Sequence, residues 1–264
     1  MQKLKHLFPQ LDYQDTFFNI QKCLRLNDVD EIGDSTHYLT FHMLGMFSFR
    51  QLSVPVTIQF WLYFLKEFGL YPHYVTIHPD KMEEWSKFYP PEMEIRPDTG
   101  CLWSDGNIGG YCTEFYYNDI EIGNIVNPLS TCIDVGFGLE RLLNLKHGQK
   151  ILTKEDILKE TIEQLIQEGV VPGNSKQGYI LRKLLVMFVF TQGGLEHPYY
   201  WDIYHGQIKL YKNYMEMKDK KRYQDKTKEW WKDTIGIDID NITQYLYLLS
   251  KHSTFGDSML GLGK

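Results

Sequence analysis

Residues 110–126, Gly-Tyr-Cys-Thr-Glu-Phe-Tyr-Tyr-Asn-Asp-Ile-Glu-Ile-Gly-Asn-Ile-Val, decide the fold class. Tyr111–Tyr117 and Ile120–Val126 are rich in aromatic and β-branched residues, and the Asn118-Asp119 pair between them is turn-prone. So short a connection permits only antiparallel pairing, because parallel strands need a long crossover. Working outward, His73–His78 (HYVTIH) alternates like a strand, and Ile133–Gly138 is a short strand ending in glycines. Residues 54–68, VPVTIQFWLYFLKEF, form an amphipathic helix stopped by Gly69. A helix begins at Leu139 with LERLLNL, and another, KEDILKETIEQLIQEG, has Thr153 as N-cap, Asp156 in its first turn and Gly169 as its stop. A further helix starts near Gly178 with YILRKLLVMFVF. Strands gather before about residue 138 and helices follow, so the class is α+β: an antiparallel sheet flanked by helices, then a helical appendage.

The 264 residues carry 28 Lys plus Arg against 34 Asp plus Glu, a net charge of −6, which argues against a surface given over wholly to nucleic acid. The charge is unevenly spread. Residues 206–232 hold nine basic residues against four acidic ones, net +5, which leaves −11 for the rest. That segment reads first as a solvated helix face and second as a phosphate-tracking patch, to which its interleaved Tyr211, Tyr214, Tyr223, Trp230 and Trp231 lend some support. No apolar run is long enough for a transmembrane helix, and the N-terminal stretch lacks the apolar core of a secretory signal, so the expectation is a cytoplasmic chain without membrane contact. Cys23, Cys101, Cys112 and Cys132 are scattered without a CxxC pair and read as free thiols, with no zinc site.

The most informative string for chemistry is Cys132-Ile-Asp-Val-Gly-Phe-Gly-Leu-Glu-Arg141. A strand ends in Gly136-x-Gly138 and a helix opens with an acid and an arginine. Glycines there let a flat ligand approach the backbone, the helix N-terminus favours anions, and Arg141 can grip a phosphate with two parallel hydrogen bonds. Asp134, flanked by Ile133 and Val135 in a buried strand, needs a partner.

Gly136–Arg141 resembles motif 3 of the class II aminoacyl-tRNA synthetases, in their alanyl branch. Other blocks follow that branch in order: Gln21-Lys-Cys-Leu-Arg25, Asn27–Gly33 and Leu39–Phe49 resemble its motif 2 region, then come Trp103, Gly110–Tyr117 and Glu121–Val126. Gly169-Val-Val-Pro-Gly-Asn and Gly178-Tyr-Ile-Leu-Arg-Lys183 resemble the opening of its tRNA-facing helical domain. The resemblance covers roughly residues 20–195. It implies a catalytic domain over 1–150, a helical domain over 151–264, and activation of alanine or a similar small amino acid by ATP. Arg25 matches the arginine on the α-phosphate and substrate carboxylate, and Arg141 the one on the γ-phosphate. Phe41 and Met43 lie in the segment that flanks adenine, and Gly138 belongs to the ATP-binding set. Asp134 matches the partner of the substrate ammonium, Trp103 and Val126 match walls of the side-chain pocket, and Asn124 and Gly136 line the same cavity. Mg²⁺ bridging the ATP phosphates is the expected metal, with no metal-ligating residue assigned.

The departures bear on the acceptor. The family's longer loop after the motif 2 arginine is reduced to Leu26, and Thr36-His37-Tyr38 replaces basic residues. After Arg182-Lys183 the family's further arginines give way to Leu184–Phe190, so either the helix is buried or something covers it. Arg182, Lys183, Lys220, Lys221 and Arg222 remain as candidate acceptor contacts. The acceptor is therefore a tRNA 3′ end, or a carrier protein or small amine; the competing class is a non-catalytic paralogue acting as a binding or regulatory module. Gly123, where the family usually has tryptophan, and Asn127, where an aromatic is usual, suggest a pocket that is wider and more polar.

Overall fold

A computed structural model describes residues 2–26, 29, 31–34, 36–148, 152–191, 195–235 and 237. Between Leu152 and Thr153 the chain divides into two compact units. Asn27, Asp28 and Asp30, part of the second motif-like block, lie outside the described residues.

The first unit is built on a hairpin of two ten-residue strands, β1 (Asp15–Leu24) and β2 (Thr40–Phe49), followed by helix α1 (Val54–Phe68). Gly69 ends α1 with φ 88°, a left-handed conformation that glycine adopts without a Cβ penalty. Strand β3 (Tyr74–Ile77), the single turn α2 (Met82–Trp85) and strands β4 (Glu94–Pro97) and β5 (Leu102–Asp105) come next. Then follow β6 (Ile108–Tyr117), β7 (Ile120–Val126), β8 (Cys132–Gly138) and helix α3 (Leu139–His147). The hairpin at 118–119 forms as its sequence dictates: Asn118 and Asp119 take φ of 50° and 59°, the paired positive values of a tight hairpin turn.

These strands make one eight-stranded sheet in the order β1-β2-β8-β7-β6-β3-β4, with β5 paired to β6 off that path. The pairing is antiparallel throughout except between β3 and β4, which run parallel. Residues 78–93, which include α2, supply the long crossover that a parallel pair requires, so an all-antiparallel sheet is corrected at this edge.

One face of the sheet packs on α1. Ile58, Trp61 and Leu65 meet Met46, Val75, Phe115, Ile125, Ile133, Val135 and Phe137, and the Trp61 ring stacks on Phe137 at 4.6 Å. Because side chains alternate along a strand, the intervening residues of β2, β7 and β8 are committed to the opposite face.

The second unit is helical: α4 (Lys154–Gln167), α5 (Lys176–Val189), α6 (Pro198–Met217) and the short α7 (Lys228–Trp230). Thr153 and Asp156 complete the capping box, each side chain accepting from the other's backbone N–H. The apolar run after Lys183 is explained by burial, with Leu184, Leu185, Phe188 and Val189 all in the interior. Three of the five aromatics of 206–232 are corrected likewise, while Tyr223 and Trp230 stay partly exposed. Tyr211, Tyr214 and Trp231 are buried in a cluster with Ile237, so they are core and offer no stacking surface. Among the described residues no helix is long and apolar enough to cross a membrane.

Candidate active site

The strand register places the candidate residues in two adjoining rows. Met43 pairs with Gly138, Gly45 with Gly136 and Phe47 with Asp134 across β2 and β8; Asn124 pairs with Gly136 and Val126 with Asp134 across β7 and β8. All lie on the face away from α1. Gly136 is where close approach is needed: a Cβ there would sit 2.9 Å from the Met43 sulfur.

A pocket of about 610 Å³, counting space open to solvent, forms over this face. It gathers Arg25, Phe41, Met43, Asn124, Gly136, Gly138 and Arg141. Asp134, Trp103 and Val126 lie outside that wall, one row further along the strands. There Val126 packs with Cys101 and Cys112, and Trp103 lies against them. Asp134 is 7% exposed, and burial pushes its carboxyl up to about 7.

Arg141 opens α3 and reaches across the pocket. Its Nε and Nη2 donate to the Thr36 carbonyl at 3.3 and 3.1 Å, its Nη1 donates to the Glu121 carbonyl at 2.5 Å, and the Glu121 carboxylate lies 3.9 Å away. Burial and the neighbouring Glu114 raise the Glu121 carboxyl, while Arg141 and Arg25 oppose that shift. Arg25 leaves β1 with its backbone N–H on the Leu39 carbonyl at 2.8 Å, which fixes where the loop returns to β2.

Six pocket residues were missed by sequence reasoning: Thr36, His37, Tyr38, Glu121, Ile122 and Glu140. Thr36 and His37 are held by the Asp34 carboxylate, which accepts from both backbone N–H groups at 2.8 and 2.9 Å; Tyr38 OH accepts from Asn144 Nδ2. Arg25 and Leu39 bracket this segment, and a hairpin reading of β1 and β2 was the signal that could have found it. Glu140, next to Arg141, accepts from the His42 backbone N–H and faces its Nδ1, each at 2.8 Å.

One pocket expectation is corrected. Gly123 lines the pocket through its backbone, and a side chain at this position would point away from the cavity. The β6–β7 register shifts at Phe115/Tyr116, so Ile122 and Gly123 both turn to the α1 face, where a Cβ on Gly123 would meet the Phe137 ring at 2.2 Å. Asn127 donates its Nδ2 to the Cys132 carbonyl at 2.7 Å. Phe137 is clamped between Trp61 and Phe115 and cannot yield. Gly123→Ala is therefore expected to destabilise the protein by about 2–3 kcal/mol. That corresponds to a melting point lower by roughly 5–10 °C in a circular-dichroism melt; an unchanged melt would show that the site accommodates a side chain.

In the second unit Arg182 and Lys183 are exposed on α5, and Lys220, Lys221 and Arg222 are exposed in the turn after α6. The Arg222 guanidinium lies 5.4 Å from the Tyr223 ring centre.

No family model matches the chain. Among curated proteins it is 27% identical to the alanine–tRNA ligase of Tropheryma whipplei (strain Twist), with 63% of this chain and 27% of that protein covered. It is 29% identical to the alanine–tRNA ligases of Chlamydia pneumoniae and Chlamydia caviae, covering 62% of this chain and 28% of each. The matched region is similar to part of these alanine–tRNA ligases, consistent with an alanyl-tRNA synthetase-like domain, and it spans little more than a quarter of the length of those relatives.

Proposed function

We propose that the first unit activates alanine or a similarly small amino acid with ATP, forming an aminoacyl-adenylate, and that the second unit presents the acceptor. The observation that carries this reading is the convergence of Arg25 and Arg141 on one glycine-floored pocket, one strand row from a buried aspartate.

In the proposed reaction the amino-acid carboxylate attacks the α-phosphorus and pyrophosphate leaves. Little covalent chemistry falls to the protein, so positioning and neutralisation of charge supply the rate. Arg25 neutralises the α-phosphate and the attacking carboxylate, Arg141 the γ-phosphate, and Phe41 and Met43 flank the adenine. Asp134 pairs with the substrate ammonium, while Trp103 and Val126 bound a short side chain. Mg²⁺ suits the oxygen donors at the pocket wall, Glu121 and Glu140, and would offset phosphate charge there. ATP–pyrophosphate exchange across the proteinogenic amino acids tests the reading; exchange with none of them overturns it.

The acceptor we assign is a tRNA 3′ end, approached through the exposed cations of the second unit. Neutralising Lys220, Lys221 and Arg222 together to glutamine is expected to weaken tRNA binding at least tenfold in a filter-binding titration and to flatten its salt dependence by about three phosphate contacts. Pyrophosphate exchange should be unchanged. Exchange that persists with no tRNA charging would instead assign the aminoacyl group to a different acceptor.

A further inference from the structure

The spacing of the cysteines along the chain gives no ligand pattern, yet the register of β5 and β6 brings two of them together. Cys101 immediately precedes β5, and the Cys112 backbone N–H donates to its carbonyl at 2.9 Å. Glu114 stands two residues beyond Cys112 on β6, hence on the same face. The two sulfurs and a Glu114 carboxylate oxygen all lie within 4.8 Å of one another. Among the described residues this is the one such group.

Its surroundings are ordered as ligand supports. The Thr76 hydroxyl lies 3.1 Å from the Cys101 sulfur and donates to Glu114 Oε2 at 3.5 Å, and Tyr116 OH donates to the same oxygen at 2.8 Å. Both cysteines are almost wholly buried, at 0% and 3% exposure, and Val126 and Trp103 close over them. We propose that Cys101, Cys112 and Glu114 bind a thiophilic divalent cation of the zinc class, through two thiolates and one carboxylate.

The donor set selects the ion. Mg²⁺ and Ca²⁺ take oxygen ligands, whereas two sulfurs with one oxygen suit the borderline-soft Zn²⁺. With Zn–S of about 2.3 Å and Zn–O of about 2.0 Å, ligands in a tetrahedral site stand about 3.5–3.8 Å apart, so the group needs to contract by about 1.3 Å at most. Three protein ligands leave a fourth position for water or a bound molecule, and hydrogen bonds from Thr76 and Tyr116 hold the carboxylate as outer-shell partners do. In the metal-free state the hydrogen bond with Cys101, together with burial, pushes the Cys112 thiol up. Binding therefore breaks two S–H bonds, forms two metal–sulfur bonds and releases two protons to solvent. Apparent affinity should accordingly rise with pH, because protons compete with the metal for the two sulfurs. The site lies beside the proposed amino-acid pocket, since Cys112 pairs with Val126 and Val126 with Asp134, but it does not depend on adenylation.

The full chain, reduced and stripped with chelator, is titrated with Co²⁺ and then Zn²⁺. One Co²⁺ per chain is expected, with thiolate-to-cobalt charge-transfer bands and the intense visible bands of a tetrahedral centre, both displaced by one equivalent of Zn²⁺. Cys101→Ser should lose about half the charge-transfer intensity, and Glu114→Gln should weaken Zn²⁺ binding by about 10- to 100-fold, whereas Cys23→Ser should change neither. Wild-type protein that binds no Co²⁺ through sulfur overturns the assignment whatever the variants do. So does a folded Cys101→Ser/Cys112→Ser double variant with an unaltered cobalt spectrum. Absence of pyrophosphate exchange leaves these readouts untouched, so the site and the proposed activity fail separately.

Discussion

Replacing Arg141 by alanine is expected to lower kcat/KM for ATP in pyrophosphate exchange by about 10²- to 10³-fold, the usual cost of deleting one preorganised donor from a site of developing negative charge. The geometry makes the prediction sharper than a simple loss of charge. The guanidinium is a crosspiece, spending three N–H groups on the carbonyls of Thr36 and Glu121. A triphosphate that takes up these donors competes with two carbonyls, and the Thr36–Tyr38 segment they hold must give way. Arg141→Lys keeps the charge but lacks the planar fork that spans both carbonyls, so it should recover little of the ATP dependence. Arg141→Ala should also cost about 1–2 kcal/mol of stability, because half-buried carbonyls lose their donors. If alanine and lysine variants both exchange at the wild-type rate, Arg141 only fastens the loop.

What the sequence disclosed depended on whether a local rule operated. Gly69 ends α1 and Thr153 caps α4 through interactions within a few residues, and both were legible. The same holds for the turn at Asn118-Asp119. Gly123 was misread because its orientation depends on a bulge, and only the pairing of β7 with β6 discloses that Ile122 and Gly123 share a face. Thr36, His37 and Tyr38 carry no periodicity, so nothing local marks them as a pocket wall. Tyr211 and Tyr214 of α6 were legible and were read the wrong way: with Tyr200, Tyr204 and Ile208 they recur at three- and four-residue spacing, the stripe of a helix facing a core. Cys101, Cys112 and Glu114 belong with Gly123, since strand register creates their neighbourhood and sequence spacing conceals it.

Asp134→Asn is expected to make the protein more stable and the site nearly inert. Burial raises the carboxyl from its ordinary 3.8 to about 7. The folded state therefore holds this proton more tightly than the unfolded chain. Its contribution to stability is complete below about pH 4, declines as pH rises and is lost above about pH 7. There the buried carboxylate costs on the order of 4 kcal/mol relative to a neutral group. Asparagine has nearly the same shape and no charge to bury. Thermal melts should show little difference between the proteins at pH 4.5 and a variant more stable by several degrees at pH 8. A substrate ammonium placed against Asp134 would offset the same cost, drawing its pKa back down, so the KM for the amino acid should fall as pH rises through about 7 in the wild type. The asparagine variant should lose that pH dependence and show a KM about 100-fold higher, the scale of a hydrogen bond between charged partners in a buried site. Equal melting shifts at pH 4.5 and pH 8 would mean that Asp134 is not the buried, titrating group that this reading of the site requires.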